Sequence, residues 1–397
     1  MSEWQTYKLR EVGALQRGRS RHRPRYAFHL FNGPYPFIQT GEVREARKYI
    51  STFENTYSEA GLAQSKLWPK GTLCITIAAN IAELGILGFD ACFPDSVLGF
   101  IPDTSKSDLD FVYYTLTHFQ KQLKHIGEGS VQDNINLGTF EDIEFPFPSL
   151  PEQKAIASVL SSLDDKIDLL HRQNKTLEAM AETLFRQWFI EEAKEDWEEV
   201  QLKDLVFVID NRGKTPPYIE EATDHPIIEV NALTKNGRAI DYSVIRKYVT
   251  KDTFGTWFRQ YLEPLDIVLS TVGSIGSFGM FFGGGGCVAQ NIIGLRAQKK
   301  ISNFFLYQWL VANTDEIKEL DIGSVQPSIK VPHLLSLSVK IPMAEKLELF
   351  DTQVEAWVRK ILANTKQIQT LENLRDTLLP KLMSGEVRVQ YQTEEVA

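Results

Sequence analysis

Apolar residues recur every seven positions along two long stretches of the chain. The repeat positions are Ile156, Leu163, Leu170, Leu177 and Leu184 in the first stretch, and Phe350, Trp357, Asn364, Leu371 and Leu378 in the second. This spacing is typical of a helix that buries one narrow stripe against another helix. No Gly or Pro interrupts either stretch before Pro380. The pattern predicts two helices of about 33 residues, each roughly 50 Å long.

The sequence before each helical stretch has a different pattern. Short β-branched and aromatic runs alternate with Gly, Pro, Asn and Asp, as in PFIQTGEV (36–43), LDIVLSTVGSIGSFG (265–279) and NIIGLRA (291–297). Such runs predict strands joined by loops, with shorter helical pieces such as residues 108–125.

The two halves of the chain repeat each other. GSVQ occurs at residues 129–132 and again at 323–326, an offset of 194. The same offset places residues 73–76 on 267–270 and Pro148 on Pro342, and a shift of one residue places RGRS (17–20) on RGKT (212–215). Because matches of similar character keep one register, the chain is predicted to be a tandem duplication.

These patterns predict an α+β fold with two mixed α/β globular domains in tandem, at residues 1–150 and 196–342. Helices at 151–195 and 343–388 would form an antiparallel coiled-coil spacer, followed by a tail at 389–397. Antiparallel pairing would set the domains at opposite ends, related by a pseudo-two-fold axis. The alternative is that each helix packs only on its own domain.

Charge is distributed unevenly along a chain whose net charge is −9. Residues 4–50 hold ten Lys/Arg against three Asp/Glu, whereas residues 152–199 hold twelve Asp/Glu against six Lys/Arg. The first region could meet phosphates, and the second would be repelled by them. The three cysteines form no CxxC pair and the histidines have no ligand spacing, so neither a disulfide framework nor a zinc site is indicated.

No membrane or export signal is indicated. The N-terminus lacks an apolar signal-peptide core, and the apolar stretch 71–93 contains Glu83 and Asp90, so buried strands are favoured over a membrane span. A cytoplasmic protein is expected.

Motifs for catalysis are incomplete. Gly213-Lys214-Thr215 resembles the end of a phosphate-binding loop, but the leading glycine is replaced by Val208. Thr215-Pro216-Pro217-Tyr218 resembles the PPY element of amino-methyltransferases, but its first position is atypical and no cofactor-binding glycine motif accompanies it. The sequence indicates binding rather than catalysis.

Two segments resemble the specificity (S) subunits of type I restriction–modification systems. They are FPFPSLPEQKAIASVLSSLDDKIDLLHRQNKTLEAMAETLFRQWF (145–189) and LENLRDTLLPKLMSGEV (371–387). The resemblance implies that each globular half is a target-recognition domain that reads one half of a bipartite double-stranded DNA site. It also implies that the helices fix the gap and dock two methyltransferase (M) subunits, and that restriction (R) subunits complete the complex. In such a complex S-adenosylmethionine, ATP and Mg would belong to the partner subunits, and this chain would need no cofactor. The second copy departs from the family phrase at residues 344–346, AEK.

The strongest candidate for DNA contact is an arginine-rich segment, because arginine pairs bidentately with phosphate or guanine. Its members are Arg17, Arg19, Arg21, Arg23 and Arg25, and the repeat places Arg212, Lys214 and Thr215 at the corresponding site. Polar residues at predicted strand ends and in GSVQ form a second set, namely Gln39, Thr40, Asn231, Gln132 and Gln326. The alternatives are a solvated basic loop and ordinary turn or cap residues. Five helix acids (Asp164, Asp165, Asp168, Glu178 and Glu182) are expected to stay off DNA and to face solvent or the M subunits.

Two other classes of function compete with this interpretation. A self-contained methyltransferase or nuclease would need a cofactor or metal motif. A scaffold that joins two protein- or sugar-binding domains by a coiled coil is opposed by the two basic loops.

Overall fold

The computed structural model describes residues 4–78, 81–128, 138, 140, 142–211, 215–233, 237–298 and 300–390. The chain forms two compact units. The first comprises residues 1–167 and 370–397, and the second comprises residues 168–369. Each unit therefore contains one globular half and parts of both long helices.

The first unit is built on mixed sheets. Its strands are Gln5–Lys8 (β1), Gly13–Arg17 (β2), Phe31–Phe37 (β3), Tyr49–Ile50 (β4), Asn55–Tyr57 (β5), Leu67–Trp68 (β6), Leu73–Thr76 (β7), Leu84–Leu87 (β8), Ala91–Cys92 (β9), Val97–Pro102 (β10) and Glu144–Phe147 (β11). Its helices are Leu9–Val12 (α1), Thr40–Glu45 (α2), Glu59–Ala63 (α3) and Leu109–Glu128 (α4), followed by Leu150–Arg186 (α5), which continues into the second unit. One sheet has the order β2-β10-β7-β8-β4, a second has the order β5-β3-β9-β6, and β1 pairs with β11.

The second unit repeats this plan with fewer strands. Its strands are Glu198–Gln201 (β12), Val206–Ile209 (β13), Ile227–Ile228 (β14), Ile267–Ser270 (β15), Phe278–Met280 (β16), Cys287–Val288 (β17), Ile292–Ala297 (β18) and Ser338–Ile341 (β19). Its helices are Lys251–Trp257 (α6), Asn303–Ala312 (α7), Thr314–Glu319 (α8), Val331–Leu335 (α9) and Ala344–Met383 (α10), whose last turns belong to the first unit. The main sheet has the order β13-β18-β15-β16, while β14 pairs with β17 and β12 with β19.

Strand register confirms the duplication. Leu73 pairs with Ile86 in the first unit, and Ile267 pairs with Met280 in the second, an offset of 194 at both positions. The alternation of side chains is also conserved between the copies. Leu73 and Ile75 of β7 lie in one core cluster of the first unit and Cys74 lies in another. In the same way, Ile267 and Leu269 of β15 lie in one core cluster of the second unit and Val268 lies in another. Successive side chains on a strand point to opposite faces, which explains this alternation.

The two predicted long helices are present. Helix α5 has 37 residues and α10 has 40, and α10 continues through Pro380 to Met383. The proline is accommodated close to the C-terminal end of α10, where it interrupts only the last turns.

Within each unit the two helices run antiparallel. In the second unit, the buried Asn364 donates a hydrogen bond to Asn174 (2.9 Å), and Phe185 packs on Phe350 with ring centroids 6.0 Å apart. In the first unit, the end of α10 enters the same core as Ile156 and Phe111 through Leu382. The buried positions of each helix therefore pack against the other helix as well as against a globular half, while heptad residues such as Leu163, Leu177 and Leu371 are only partly buried.

Two of the helix acids do not face solvent, which corrects the expectation from the sequence. Asp164 accepts hydrogen bonds from Arg375 (2.8 Å) and from the Tyr114 hydroxyl (2.6 Å). Burial and the neighbouring Asp164 charge raise the pKa of Tyr114, so the tyrosine stays a donor. Glu178 also lies inside its unit. The sequence could not show this because the partners are far away along the chain.

Glu178 forms a buried ion pair with Arg238, whose side chain is 0% exposed. The carboxylate accepts from Nε (2.8 Å) and Nη2 (2.7 Å) of Arg238, and the guanidinium lies 4.6 Å from the ring centroid of Tyr307. Burial alone would lower the pKa of Arg238, but hydrogen bonds and charge attraction from Glu178 hold it above its usual value. The pair fastens helix α5 to the second globular half.

The variant Glu178→Gln is expected to lower the free energy of unfolding of the second unit by about 3–5 kcal/mol, because it leaves a buried guanidinium without a counter-charge. Denaturant unfolding of the purified chain measures this. Asp168→Asn on the same helix breaks the exposed pair with Arg172 and should cost less than about 1 kcal/mol. Equal losses in the two variants would contradict the assignment.

Candidate nucleic-acid interface

The arginine-rich segment of the first unit is a surface loop with a fixed backbone. It begins where β2 ends at Arg17. Gly18 N donates to Val97 O (2.9 Å) and Arg19 N to Phe93 O (2.9 Å). A Cβ at position 18 would lie 2.3 Å from Pro94 O, so only glycine allows this close approach.

The five arginines have different surroundings, although all five are exposed. Arg23 donates to the carbonyl oxygens of Ser20 and His22 (both 2.8 Å), and Arg25 pairs with Asp95 (3.0 Å). These two side chains help to shape the loop. Arg17, Arg19 and Arg21 project their charge into solvent.

Lys66 joins this surface, and sequence reasoning missed it. Its ammonium lies 3.6 Å from the ring centroid of Trp68 and donates to the Gln16 side chain (2.8 Å). Burial and the positive charge of Arg19 lower the pKa of Lys66. We define the first basic surface as Arg17, Arg19, Arg21 and Lys66.

Gln39 and Thr40 lie at the same edge of the first unit as this loop. Strand β3 runs parallel to β9, so their carboxyl ends meet at one edge. Ile38 N donates to Cys92 O (2.8 Å), one residue before the Phe93 carbonyl that accepts from Arg19. Gln39 is the residue before helix α2 and Thr40 is the first residue of that helix, so both also occupy cap positions.

The second unit has a cavity of about 560 Å³ at the corresponding edge. Strands β14 and β17 are parallel there, and the residues after each strand contribute to the cavity wall. The cavity is lined by Thr215, Pro216, Ile227, Ile228, Glu229, Val230, Asn231, Lys247, Val272, Gly273, Ser274, Ala289, Gln290, Asn291 and Gln326. The structure therefore brings together three residues that were predicted separately from the sequence: Thr215, Asn231 and Gln326.

Two pairs of polar residues in the cavity wall contact each other. The Thr215 hydroxyl donates to the Gln290 side chain (2.8 Å). Lys247 pairs with Glu229 (2.7 Å), and this hydrogen bond raises the pKa of Lys247. The pair carries no net charge. The cavity thus offers amides and hydroxyls, whereas the first unit offers a cluster of positive charge.

Gln290, Asn291 and Lys247 were not identified from the sequence. Asn291 adopts a left-handed backbone conformation (φ 67°) between β17 and β18, which is uncommon except for Gly, Asn and Asp. An Asn at such a turn does not indicate a cavity in the sequence, because the other residues that line the cavity come from other loops.

Arg212, Lys214 and Gln132 lie outside the described residues. The described residues on either side of the first two are Asn211 and Thr215. The Asn211 amide donates to Gln260 O (2.9 Å) and Val288 O (3.3 Å), and Thr215 lines the cavity itself.

The second GSVQ copy forms a tight loop beside the cavity. A Cβ at Gly323 would lie 1.9 Å from Gln326 O, so the turn requires glycine. The Asp321 carboxylate accepts from Ser328 N and Gly323 N (both 2.8 Å), and these bonds lower the pKa of Asp321. Helix α9 lies between this loop and the last strand, β19.

In the part of the chain that the structure describes, no group of three or more His, Cys, Asp or Glu residues is placed to hold a metal ion. No helix among the described residues is long and apolar enough to cross a membrane.

Comparisons with known proteins point to one family. The family model described as the type I restriction modification DNA specificity domain matches residues 1–179 and again residues 194–374. The type I restriction enzyme MjaIX specificity subunit of Methanocaldococcus jannaschii is 26% identical over 98% of this chain and 94% of its own length. The HindI specificity subunit of Haemophilus influenzae is 21% identical over 98% of this chain and all of its own length.

A solved structure has the same fold. The S subunit of a type I restriction–modification system from M. genitalium superposes with a TM-score of 0.62 at 18% identity, covering 99% of this chain and 97% of that chain. Since the family model matches both halves and most of the sequence, the chain belongs to the type I restriction–modification DNA specificity subunit family.

Proposed function

We propose that this chain reads a two-part DNA sequence for a type I restriction–modification complex, with each unit binding one half of the target. The observation that carries the proposal is that the corresponding edge of each duplicated unit holds DNA-compatible groups. In the first unit these are the first basic surface with Gln39 and Thr40, and in the second they are the polar residues of the cavity.

The groups at the edges of the two units are suited to different kinds of DNA contact. Exposed arginines contact phosphates or the O6 and N7 atoms of guanine. Amide side chains such as Asn231, Gln290 and Gln326 match the donor and acceptor pattern of adenine in the major groove. Contacts with the DNA backbone would position the protein, and these amides would distinguish the bases of the second half-site.

The helices have the features of a docking surface for the M subunits. Exposed apolar side chains remain on them after the heptad stripe is buried, among them Leu169, Met180, Leu349 and Leu374. Exposed apolar groups on a helix favour a protein partner. In this proposal two M subunits bind there and supply S-adenosylmethionine-dependent methylation, while R subunits add ATP- and Mg-dependent translocation and cleavage in the cytoplasm. The helices fix the gap between the two half-sites.

Co-expression with an M subunit, followed by mapping of methylated adenines, tests the proposal. We expect a gapped motif with two specified parts. A continuous motif, or no methylation by a complex that assembles, would contradict it.

Removal of two charges from the first basic surface should weaken binding and reduce its salt dependence. For Arg19→Ala with Arg21→Ala, the slope of log affinity against log salt should fall by about two, because each lost phosphate contact changes it by about 0.9. Fluorescence anisotropy of the S–M complex on labelled DNA measures this. Arg172→Ala with Arg359→Ala removes the same charge from exposed helix pairs and should leave the slope unchanged.

Substitution of the cavity amides should relax only one half of the motif. Asn231→Ala with Gln326→Ala should lower discrimination at adenine-containing positions of the second half-site by roughly tenfold or more, as about 1–3 kcal/mol is lost per contact. Competition binding against duplexes altered in one half-site measures this. The exposed pair Gln201→Ala with Gln298→Ala, which does not line the cavity, is the control. Equal loss of discrimination in both half-sites would contradict the assignment.

A further inference from the structure

Two aromatic side chains of the first unit project into solvent beside the basic surface. Phe28 is 85% exposed and Tyr26 is 73% exposed, the highest values among aromatic residues in the described part of the chain. A ring exposed to this degree has a large apolar face that it can bury against another molecule.

The backbone that carries Phe28 is held firmly. Phe28 begins a short 3-10 turn that ends at Leu30, whose side chain is buried in the core. Leu30 N donates to Ala27 O (3.0 Å), and Leu30 O accepts from Ser58 N (2.9 Å). The Ser58 hydroxyl also donates to His29 O (2.7 Å). Phe28 is thus presented outward by a turn that is fixed on both sides.

The surroundings of Phe28 indicate what it contacts. In the sequence, no Asp or Glu occurs from residue 12 to residue 41, and the five arginines precede Phe28. Two acids that the fold brings to this segment are engaged, Asp95 by Arg25 and Glu59 by the Tyr35 hydroxyl. Tyr26 stacks on Phe31 with ring centroids 6.3 Å apart, which leaves the more exposed Phe28 as the free ring. A ring within a field of positive charge fits a polyanion whose interior is a stack of aromatic bases.

We propose that Phe28 inserts between two adjacent base pairs at the first half-site and partly unstacks them, while the neighbouring arginines hold the phosphates. This inference rests on the proposed function and adds to it a step that deforms the DNA. Proteins that bend DNA use apolar side chains in this way, so that the duplex contacts more of the protein surface.

The test uses the S–M complex and duplexes that carry 2-aminopurine at successive positions of the mapped target. Wild-type protein should raise the fluorescence several-fold at one step of the first half-site. Phe28→Ala should return that step to the level of free duplex, and Phe28→Trp should keep the signal. Phe53→Ala removes a less exposed ring of the same unit and should change nothing. Signals from the second half-site serve as an internal control and should be the same in all variants.

Affinity gives an independent readout. Phe28→Ala should weaken binding to the intact duplex roughly tenfold, as expected for a lost stacking contact. It should weaken binding less than about twofold when the duplex has an abasic site at the same step, because no stack is left to open.

Three results would overturn the inference in different ways. Unchanged fluorescence and affinity in Phe28→Ala would show that the ring does not enter the stack. Loss of the M subunit with unchanged DNA binding would assign Phe28 to a protein contact. If wild-type complex itself has no affinity for a two-part duplex, the proposed function fails together with the inference.

Discussion

The structure depends on the burial of two apolar helix stripes that neither helix can cover alone. Helices α5 and α10 are far apart in sequence, yet each unit contains part of both. The end of α10 completes the core of the first unit through Leu382 and Met383, while Phe350 and Val354 from its start lie in the core of the second. Apolar burial of this kind is the dominant favourable term in folding. The C-terminal end of α10 therefore contributes to the stability of the first unit.

Polar contacts in the seam, the interface between α5 and α10, make this burial specific for one helix register. Asn364 is fully buried and reaches Asn174 on the opposing helix, and Asp164 of α5 meets Arg375 of α10. Buried polar groups lose free energy unless they find their partners, so they disfavour a slipped helix register. The seam thus defines which residues of each helix meet, and with them where each globular half is attached.

A parallel strand pair organises the candidate interface of each unit. In the first unit the pair Phe37 and Cys92, and in the second the pair Ile227 and Cys287, bring two loops to one edge. The duplication preserved this frame while the loops diverged, into a basic surface in one unit and an amide-lined cavity in the other. Conservation of the frame and divergence of the loops suit a protein that reads two different half-sites.

Local patterns were enough to predict the two long helices and several strands, since heptads and buried runs depend on neighbouring residues, but helix α2 begins inside the run 36–43 that predicted strand and loop. The duplication could be predicted because the two copies keep one offset along the chain. The candidate site was only partly predictable. The sequence indicates Thr215 through the repeat, Asn231 at a predicted strand end and Gln326 in GSVQ. Their meeting in one cavity depends on loops more than a hundred residues apart in the sequence. Lys66 and the Asp164–Arg375 pair escaped for the same reason, because the partner of each is set by tertiary packing.

In the proposed function, each unit reads its own half of the target. The most direct measurement replaces residues 1–150 by the corresponding domain of a relative with a different target, and maps the methylated adenines in cells that co-express the M subunit. We expect that one half of the gapped motif changes while the other half and the gap remain the same. A change in both halves, or no change in either, would contradict it.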